Sequence, residues 1–239
     1  MNLYVGTSGF SYKEWKGSFY PKTLPAQQML RYYGERFRSV EINSTFKRLP
    51  TSSVLEAWTK AVGADFKFAL KASEQITHFR RLKDAGPLVA DLFRVAATLQ
   101  SRLGPVLFQL PPNFKKDVAR LREFLALLPS RRRAVLEFRH ASWFEEDVFA
   151  LLRAQRVALC IADAEDDLEV PLVATAAWGY LRLRRPDYSA AALKTWVQRL
   201  RRQDWRDAFV FFKHEDEGKG PEMARRFLDL AKPSRKNDR

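Results

Sequence analysis

The sequence has 239 residues, a length that suits one large α/β domain with a full hydrophobic core. It lacks any run of about 18 apolar residues, which excludes a membrane-spanning helix, and its single cysteine, Cys160, excludes internal disulfides and cysteine-rich zinc sites. The 42 basic residues exceed the 28 acidic ones and give a net charge of +14. This charge favours an anionic partner, either a small molecule or a nucleic acid, unless it reflects composition alone.

The chain starts in an apolar run and lacks the layout of a signal peptide, so we expect a cytoplasmic protein. We expect one barrel domain over residues 1–232. The polar residues 233–239 predict a disordered basic tail. The oligomeric state stays open.

Eight short apolar runs in chain order predict eight β-strands. They cover residues 3–6, 39–42, 66–70, 105–110, 134–138, 157–162, 178–183 and 209–212. Helices are predicted between most of them, at 25–37, 53–62, 87–102, 117–128, 143–155, 190–203 and 222–231, whereas 164–176 shows no helical period. The pattern predicts an α/β fold. It is a single (β/α)₈ TIM-type barrel of eight parallel strands, with long rim loops after strands 1, 2, 3 and 8.

Polar side chains follow the predicted strands where each strand ends, and barrels place their sites at that rim. Alternate strand residues face opposite sides, and the apolar Ile42, Phe138 and Leu183 belong against the helices. Their polar neighbours should therefore point into the barrel mouth. Three carboxylates (Glu41, Glu137 and Asp163) would meet four cations there (Lys71, Arg139, Arg182 and Lys213). Such a network is either a satisfied structural layer or a ligand site.

Candidate catalytic residues are Glu41, Glu137, His140 and Lys71, which carry the groups used in acid–base chemistry. Candidate substrate or anion ligands are Asn43, Gln109, Arg139, Arg182, Lys213, Gly218, Gly220 and His78. The cofactor is unknown. A divalent metal could use Glu41, Glu137, Asp163 and His214, although their spacing matches no known metal motif.

The segment after strand 8 resembles a phosphate cradle. Lys213 could bind a phosphate together with Arg182, and Gly218 and Gly220 would let the backbone approach it at the N-terminus of the last helix. The acidic residues 215–217 argue against this interpretation.

Eight aromatic residues occur in or near the rim loops: Phe10, Tyr12, Trp15, Phe19, Tyr20, Phe46, Phe114 and Trp143. They could stack on bases or sugars, or they could form an apolar roof over the barrel. A Ser–His–Asp triad using Ser8 is a weaker alternative, because no nucleophile-elbow pattern surrounds this serine.

Several motifs together carry a resemblance to a known family. They are VGTSGFSY at 5–12, VEINSTF at 40–46, FALK at 68–71, LGPVLFQLPP at 103–112 and EFRH at 137–140. With these motifs the chain resembles the YecE-like family, also known as domain of unknown function 72. The segment 212–216 departs from the asparagine-rich stretch common in that family. The resemblance implies a TIM-type barrel and implies no reaction.

Three functional hypotheses follow from the sequence. The first is an enzyme acting on an anionic substrate, phosphate-bearing or derived from nucleic acid, at the barrel rim. The second is a non-catalytic nucleic-acid-binding protein that uses basic outer helices and rim aromatics. The third is a glycosidase-like hydrolase with a carboxylate pair.

Overall fold

Eight parallel strands form one sheet in the computed structural model of the protein, which describes residues 1–165, 168–213 and 218–232. They are β1 Asn2–Thr7, β2 Ser39–Ile42, β3 Lys67–Lys71, β4 Leu103–Gln109, β5 Ala134–Glu137, β6 Ala158–Asp163, β7 Trp178–Leu183 and β8 Asp207–Phe212. The strand order is β1-β8-β7-β6-β5-β4-β3-β2, the cyclic order of a barrel. The predicted fold class is therefore confirmed. The predicted tail, 233–239, lies outside the described residues.

The part of the chain that the structure describes contains seven α-helices, six between strands and one after β8. They are α1 Met29–Gly34, α2 Ser52–Ala61, α3 Gly86–Ala96, α4 Val118–Ala126, α5 Glu146–Ala154, α6 Ala190–Arg201 and α7 Lys219–Ala231. None of these helices is long and apolar enough to cross a membrane. The described residues between β6 and β7 contain no helix, in keeping with the missing helical period at 164–176.

Local sequence explains where the helices begin and end. The α6 helix begins after Ser189, whose side chain accepts a hydrogen bond from the Ala192 N–H, and it buries Leu193, Trp196, Val197 and Leu200 along one face. The third predicted helix, 87–102, is too long. The α3 helix ends at Ala96, and residues 97–102 form 3₁₀ turns that are interrupted at Gln100, whose φ is +51°.

The barrel contains two separate apolar cores. The inner core fills the inside of the barrel. It consists of Ala69, Leu107, Val135, Ala158, Cys160, Trp178, Tyr180, Phe209 and Phe211. The outer core lies between strands and helices and includes Ile42, Phe138 and Leu183, as their alternation with polar neighbours predicts. The inner core closes the barrel below its mouth and separates the charged side chains of the mouth from those at the opposite end, such as Arg133 and Asp207.

The seam between β1 and β2 has few direct backbone contacts. Ser8 and Glu41 form a single bridge, in which the Gly9 N–H donates to the Glu41 carbonyl at 2.7 Å. Below it, the hydroxyl of Tyr33 from α1 accepts from the Thr7 N–H at 2.8 Å and donates to the Ser39 carbonyl at 3.1 Å. A tyrosine hydroxyl thus replaces a strand-to-strand hydrogen bond.

Most of the aromatic residues predicted near the rim belong to the outer core. Trp15, Phe19, Tyr20, Phe114 and Trp143 are buried. The Trp15 and Phe19 rings meet edge to face at 5.8 Å, and the Trp143 indole N–H donates to the Phe114 carbonyl at 2.6 Å. Phe10, Tyr12 and Phe46 are only partly buried.

We predict that Tyr33→Phe lowers the free energy of unfolding by about 1–3 kcal/mol, because it leaves the buried Thr7 N–H and Ser39 carbonyl without their hydroxyl partner. Urea denaturation measures the change. The matched control is Tyr32→Phe, a partly buried neighbour whose hydroxyl has no hydrogen-bond partner among the described residues. Equal losses in the two variants would contradict this role for the Tyr33 hydroxyl.

Candidate functional site

The buried guanidinium of Arg182 is the centre of the barrel mouth. Its Nη1 lies 2.6 Å from Glu137 Oε2, and its Nη2 lies 3.0 Å from Glu41 Oε1. Arg182 is 2% exposed, and both glutamates are completely buried. One cation thus lies between two carboxylates from strands β2 and β5, and the three charges form a Glu–Arg–Glu cluster.

Neutral side chains complete the hydrogen bonding of both carboxylates. Glu41 accepts hydrogen bonds from Ser8 Oγ at 2.7 Å and from the Tyr180 hydroxyl at 2.6 Å. Glu137 accepts one from Gln109 Nε2 at 2.7 Å. Burial raises the pKa of Glu137, but Arg182 and the Gln109 amide outweigh this effect and lower the pKa to about 2. Glu137 is therefore a stable anion at neutral pH.

Strand register explains how these residues meet. Gln109 and Glu137 are paired neighbours on β4 and β5, so their side chains lie side by side. Tyr180 precedes Arg182 by two residues on β7, which places both on the inner face. Tyr180 is not among the site residues predicted from the sequence. The same two-residue alternation that selected Arg182 could have identified it.

Further cations surround the cluster. Arg139 Nη1 and Arg184 Nη1 lie 3.6 and 3.8 Å from Glu137 Oε1. Lys71 Nζ lies 4.0 Å from the centre of the Phe46 ring, and burial together with nearby Arg182 lowers its pKa to about 8. The charge of Lys213 also lowers the pKa of Lys71. The described part of the mouth thus holds five cationic side chains and two carboxylates, Glu41 and Glu137.

Two polar residues extend the site beyond Lys71. The His78 ring meets the Phe46 ring edge to face at 5.0 Å, and its Nδ1 lies 2.9 Å from Thr77 Oγ1. Burial and the charge of Lys71 lower the pKa of His78, so its imidazole is neutral at pH 7. The carboxamide oxygen of Asn43 is buried and lacks a hydrogen-bond partner among the described residues. An unsatisfied buried acceptor is unfavourable unless a ligand or solvent donates to it.

Asp163 does not join the other two carboxylates, and this part of the prediction is wrong. Its Oδ1 lies 2.7 Å from Arg185 Nε, and its Oδ2 accepts from the Trp196 indole N–H at 3.1 Å. Cys160 faces the inner core, so the residue three positions later faces the helices. Asp163 links β6 to α6 and is not part of the mouth.

His140 has a local structural role. Its Nδ1 accepts from the Ser142 N–H at 3.1 Å and lies 2.9 Å from Ser142 Oγ, which caps the 3₁₀ turn Ala141–Trp143. No contact among the described residues joins it to Arg182. Such a local cap competes with a catalytic role, and sequence spacing does not reveal it.

The predicted cradle and metal site are only partly within the described residues. Arg182 is enclosed by two glutamates and is not open to an anion. Gly218 has a φ of +81°, and a Cβ there would lie 2.5 Å from Ser18 Oγ, so close packing against the first loop requires glycine. Gly220 is buried in α7. The described residues contain no group of three His, Cys, Asp or Glu side chains that could hold a metal, and His214 lies outside them.

The fold and the site define a TIM-type barrel with a buried Glu–Arg–Glu cluster below a cationic mouth. The chain belongs to the family described as "Protein of unknown function DUF72", which it matches over residues 4–238. The sequence resemblance is thereby confirmed.

One protein related in sequence and two crystal structures resemble the chain over nearly its whole length. The UPF0759 protein YunF of Bacillus subtilis (strain 168) is 26% identical to this chain in an alignment of 272 positions. The alignment covers 95% of this chain and 94% of that protein. The crystal structure of the DUF72 family protein TM1631 from Thermotoga maritima superposes with a TM-score of 0.86 at 27% identity, covering 96% and 99% of the two chains. A DUF72 family protein of Enterococcus faecalis, EF0366, shares the fold with a TM-score of 0.79 at 17% identity, covering 97% and 96%.

We predict that Glu137 contributes stability that acid removes. Its pKa is about 2 in the folded protein against an ordinary value of 4.5, so the contribution is complete above about pH 4.5 and falls as the pH drops towards 2. Glu137→Gln should lower the free energy of unfolding at pH 7 by on the order of 3 kcal/mol and flatten its pH dependence in this window.

Urea denaturation at several pH values tests this expectation. The control is Glu123→Gln, which changes an exposed carboxylate on α4. A Glu137→Gln curve parallel to that of the unmodified protein between pH 4.5 and 2 would show that Glu137 does not carry the effect.

Proposed function

We propose that the protein is an enzyme that binds a small phosphate-bearing substrate in the barrel mouth and uses Lys71 for acid–base chemistry. The observation that carries this proposal is a partly buried lysine near Arg182 and Lys213, whose pKa is lowered to about 8 by burial and by these charges and which has no ion-pair partner among the described residues. A group whose pKa is near the operating pH can both donate and accept a proton. The cations around it favour an anion.

Lys71 has the surroundings that such a role needs. Its ammonium lies over the Phe46 ring at 4.0 Å, which holds the side chain in place. His78 shares that ring and supplies a neutral imidazole. Asn43 supplies a buried acceptor that a substrate hydroxyl could satisfy. We assign proton transfer to Lys71, and we assign substrate positioning to His78 and Asn43.

Glu41 and Glu137 fit a positioning role better than the catalytic role that we first expected. Both are completely buried and fully hydrogen-bonded, so neither presents an oxygen to a substrate. Their charges hold Arg182 in the mouth, and Glu137 also attracts Arg139 and Arg184. Gln109 keeps Glu137 in place and is likewise a positioning residue.

The geometry gives less support to the other two hypotheses. A glycosidase needs one carboxylic acid and open space between the carboxyl groups, whereas here Arg182 lies between them and the pKa of Glu137 is about 2. A nucleic-acid-binding surface of rim aromatics needs exposed rings, whereas Trp15, Tyr20 and Trp143 are buried.

We predict that sulfate affinity falls as the pH rises through about 8, where Lys71 loses its charge. Sulfate suits this test because it does not titrate in this range. Lys71→Gln should weaken sulfate binding about tenfold at pH 7 and remove the pH dependence, while Lys71→Arg should keep binding constant up to pH 10. Calorimetric titration at low ionic strength measures the affinities.

The control for this series is Lys60→Gln, an exposed lysine on α2. Sulfate binding that is the same in Lys71→Gln, in Lys60→Gln and in the unmodified protein would exclude Lys71 from the anion site.

Turnover separates an enzyme from a binding protein. With a panel of chromogenic phosphomonoesters and phosphodiesters, we predict that kcat falls about 100-fold or more in both Lys71→Gln and Lys71→Arg, because neither side chain transfers a proton near pH 8. Lys71→Arg should still bind sulfate. A variant Lys71→Arg with normal kcat would limit Lys71 to an electrostatic role.

A further inference from the structure

A second group of cations lies at the opposite end of the barrel, where the strands begin. A cavity of about 500 Å³ is lined by Arg131, Arg132, Arg133, Arg153 and Arg156 together with residues 174–178. Arg133 directly precedes β5, and Trp178 is the first residue of β7. We call this cavity the arginine cleft. It shares no residue with the mouth.

The arginine cleft contains more positive charge than its carboxylates neutralise. Arg133 is paired with Asp207, and Arg153 is paired with Glu146. Arg131, Arg132 and Arg156 are exposed and have no carboxylate within ion-pair distance among the described residues. A neighbouring cavity of about 270 Å³ is also lined by residues 131–133 and adds Lys67. These positive charges are held close together and are only partly neutralised by the described carboxylates. They therefore give this end of the barrel a positive potential.

Hydrogen bonds and a ring contact hold the walls of the arginine cleft in place. The Thr175 hydroxyl accepts from the Leu159 N–H and donates to the Val157 carbonyl, both at 2.8 Å, which fixes the segment before β7 against β6. The Arg133 guanidinium lies 5.5 Å from the centre of the Trp178 ring. The cleft is therefore formed before any ligand arrives, which lowers the entropy cost of binding.

Arg156 occupies a backbone position that favours glycine. Its φ is +55°, in the left-handed region. The hydrogen bonds from the Val157 N–H to the Leu152 carbonyl and from the Arg156 N–H to the Arg153 carbonyl form a Schellman motif, whose left-handed residue is usually glycine. Local backbone preference thus opposes arginine at a position that follows the end of α5 and lines the cleft.

We propose that the arginine cleft binds the closely spaced phosphates of a polyphosphate ligand. Unpaired guanidinium groups on two separate chain segments can grip several phosphates at once, and the planar fork of arginine matches phosphate oxygens better than an ammonium does. A nucleoside triphosphate carries directly linked phosphates, and a nucleic-acid strand carries one phosphate per nucleotide along its backbone. The site is independent of the activity proposed for the mouth.

Calorimetric titration with inorganic tripolyphosphate at low ionic strength tests the proposal. The double variant Arg131→Ala/Arg132→Ala should weaken binding about tenfold or more, and Arg156→Gly should weaken it several-fold while raising Tm by about 2 °C. The opposite signs for Arg156→Gly separate a binding role from a structural one. The control is Arg122→Ala, an exposed arginine in the middle of α4, which should change neither value.

Further probes identify the source of the phosphates. Binding of adenosine triphosphate at least as tight as that of tripolyphosphate would support a free nucleotide, whereas affinity that increases with the length of a single-stranded oligonucleotide would support a strand. Tripolyphosphate binding that is unchanged in Arg131→Ala/Arg132→Ala, or equally reduced in Arg122→Ala, would overturn the proposal. Equally tight binding of poly-glutamate of matched charge would overturn it too, since the cleft would then attract any polyanion.

Discussion

The ion pairs of Arg182 with Glu41 and Glu137 are the interaction on which the rest of the mouth depends. Three charges without contact to solvent are stable only when each one is paired and hydrogen-bonded. Ser8, Tyr180 and Gln109 supply the remaining hydrogen bonds, so five strands contribute to or border one cluster. Glu137 also lies within ion-pair distance of Arg139 and Arg184, so the cluster helps to position the cations around it.

The sequence predicts this cluster because alternation along a strand is a reliable constraint. Ile42, Phe138 and Leu183 must face the helices, and therefore Glu41, Glu137 and Arg182 must face inward. Alternation does not decide the orientation of Asp163 at the end of strand 6. Its neighbours Ala162 and Ala164 are small and fit on either face of the strand. Asp163 was consequently placed in the mouth, although it pairs with Arg185 and Trp196 outside the barrel.

Specific contacts within and between loops could not be predicted from the sequence. The capping role of His140 depends on the orientation of a single imidazole towards Ser142. The requirement for glycine at position 218 depends on Ser18, which lies in a loop after the first strand. Neither relation leaves a periodic signal. The lowered pKa of Lys71 likewise arises from burial and from neighbouring charges on other strands, and only the fold brings these together.

The seam between β1 and β2 has a consequence for the order of folding. Glu41 closes the seam through its backbone, yet its side chain bonds to Tyr180 and Arg182, which follow it by 139 and 141 residues. During synthesis from the N-terminus, this carboxylate must stay hydrated until most of the chain has emerged. Its burial is then among the last events, since contacts so distant in sequence form late. A chain stopped before β7 could build several β/α units, but it would hold a glutamate whose ion-pair partner, Arg182, does not yet exist.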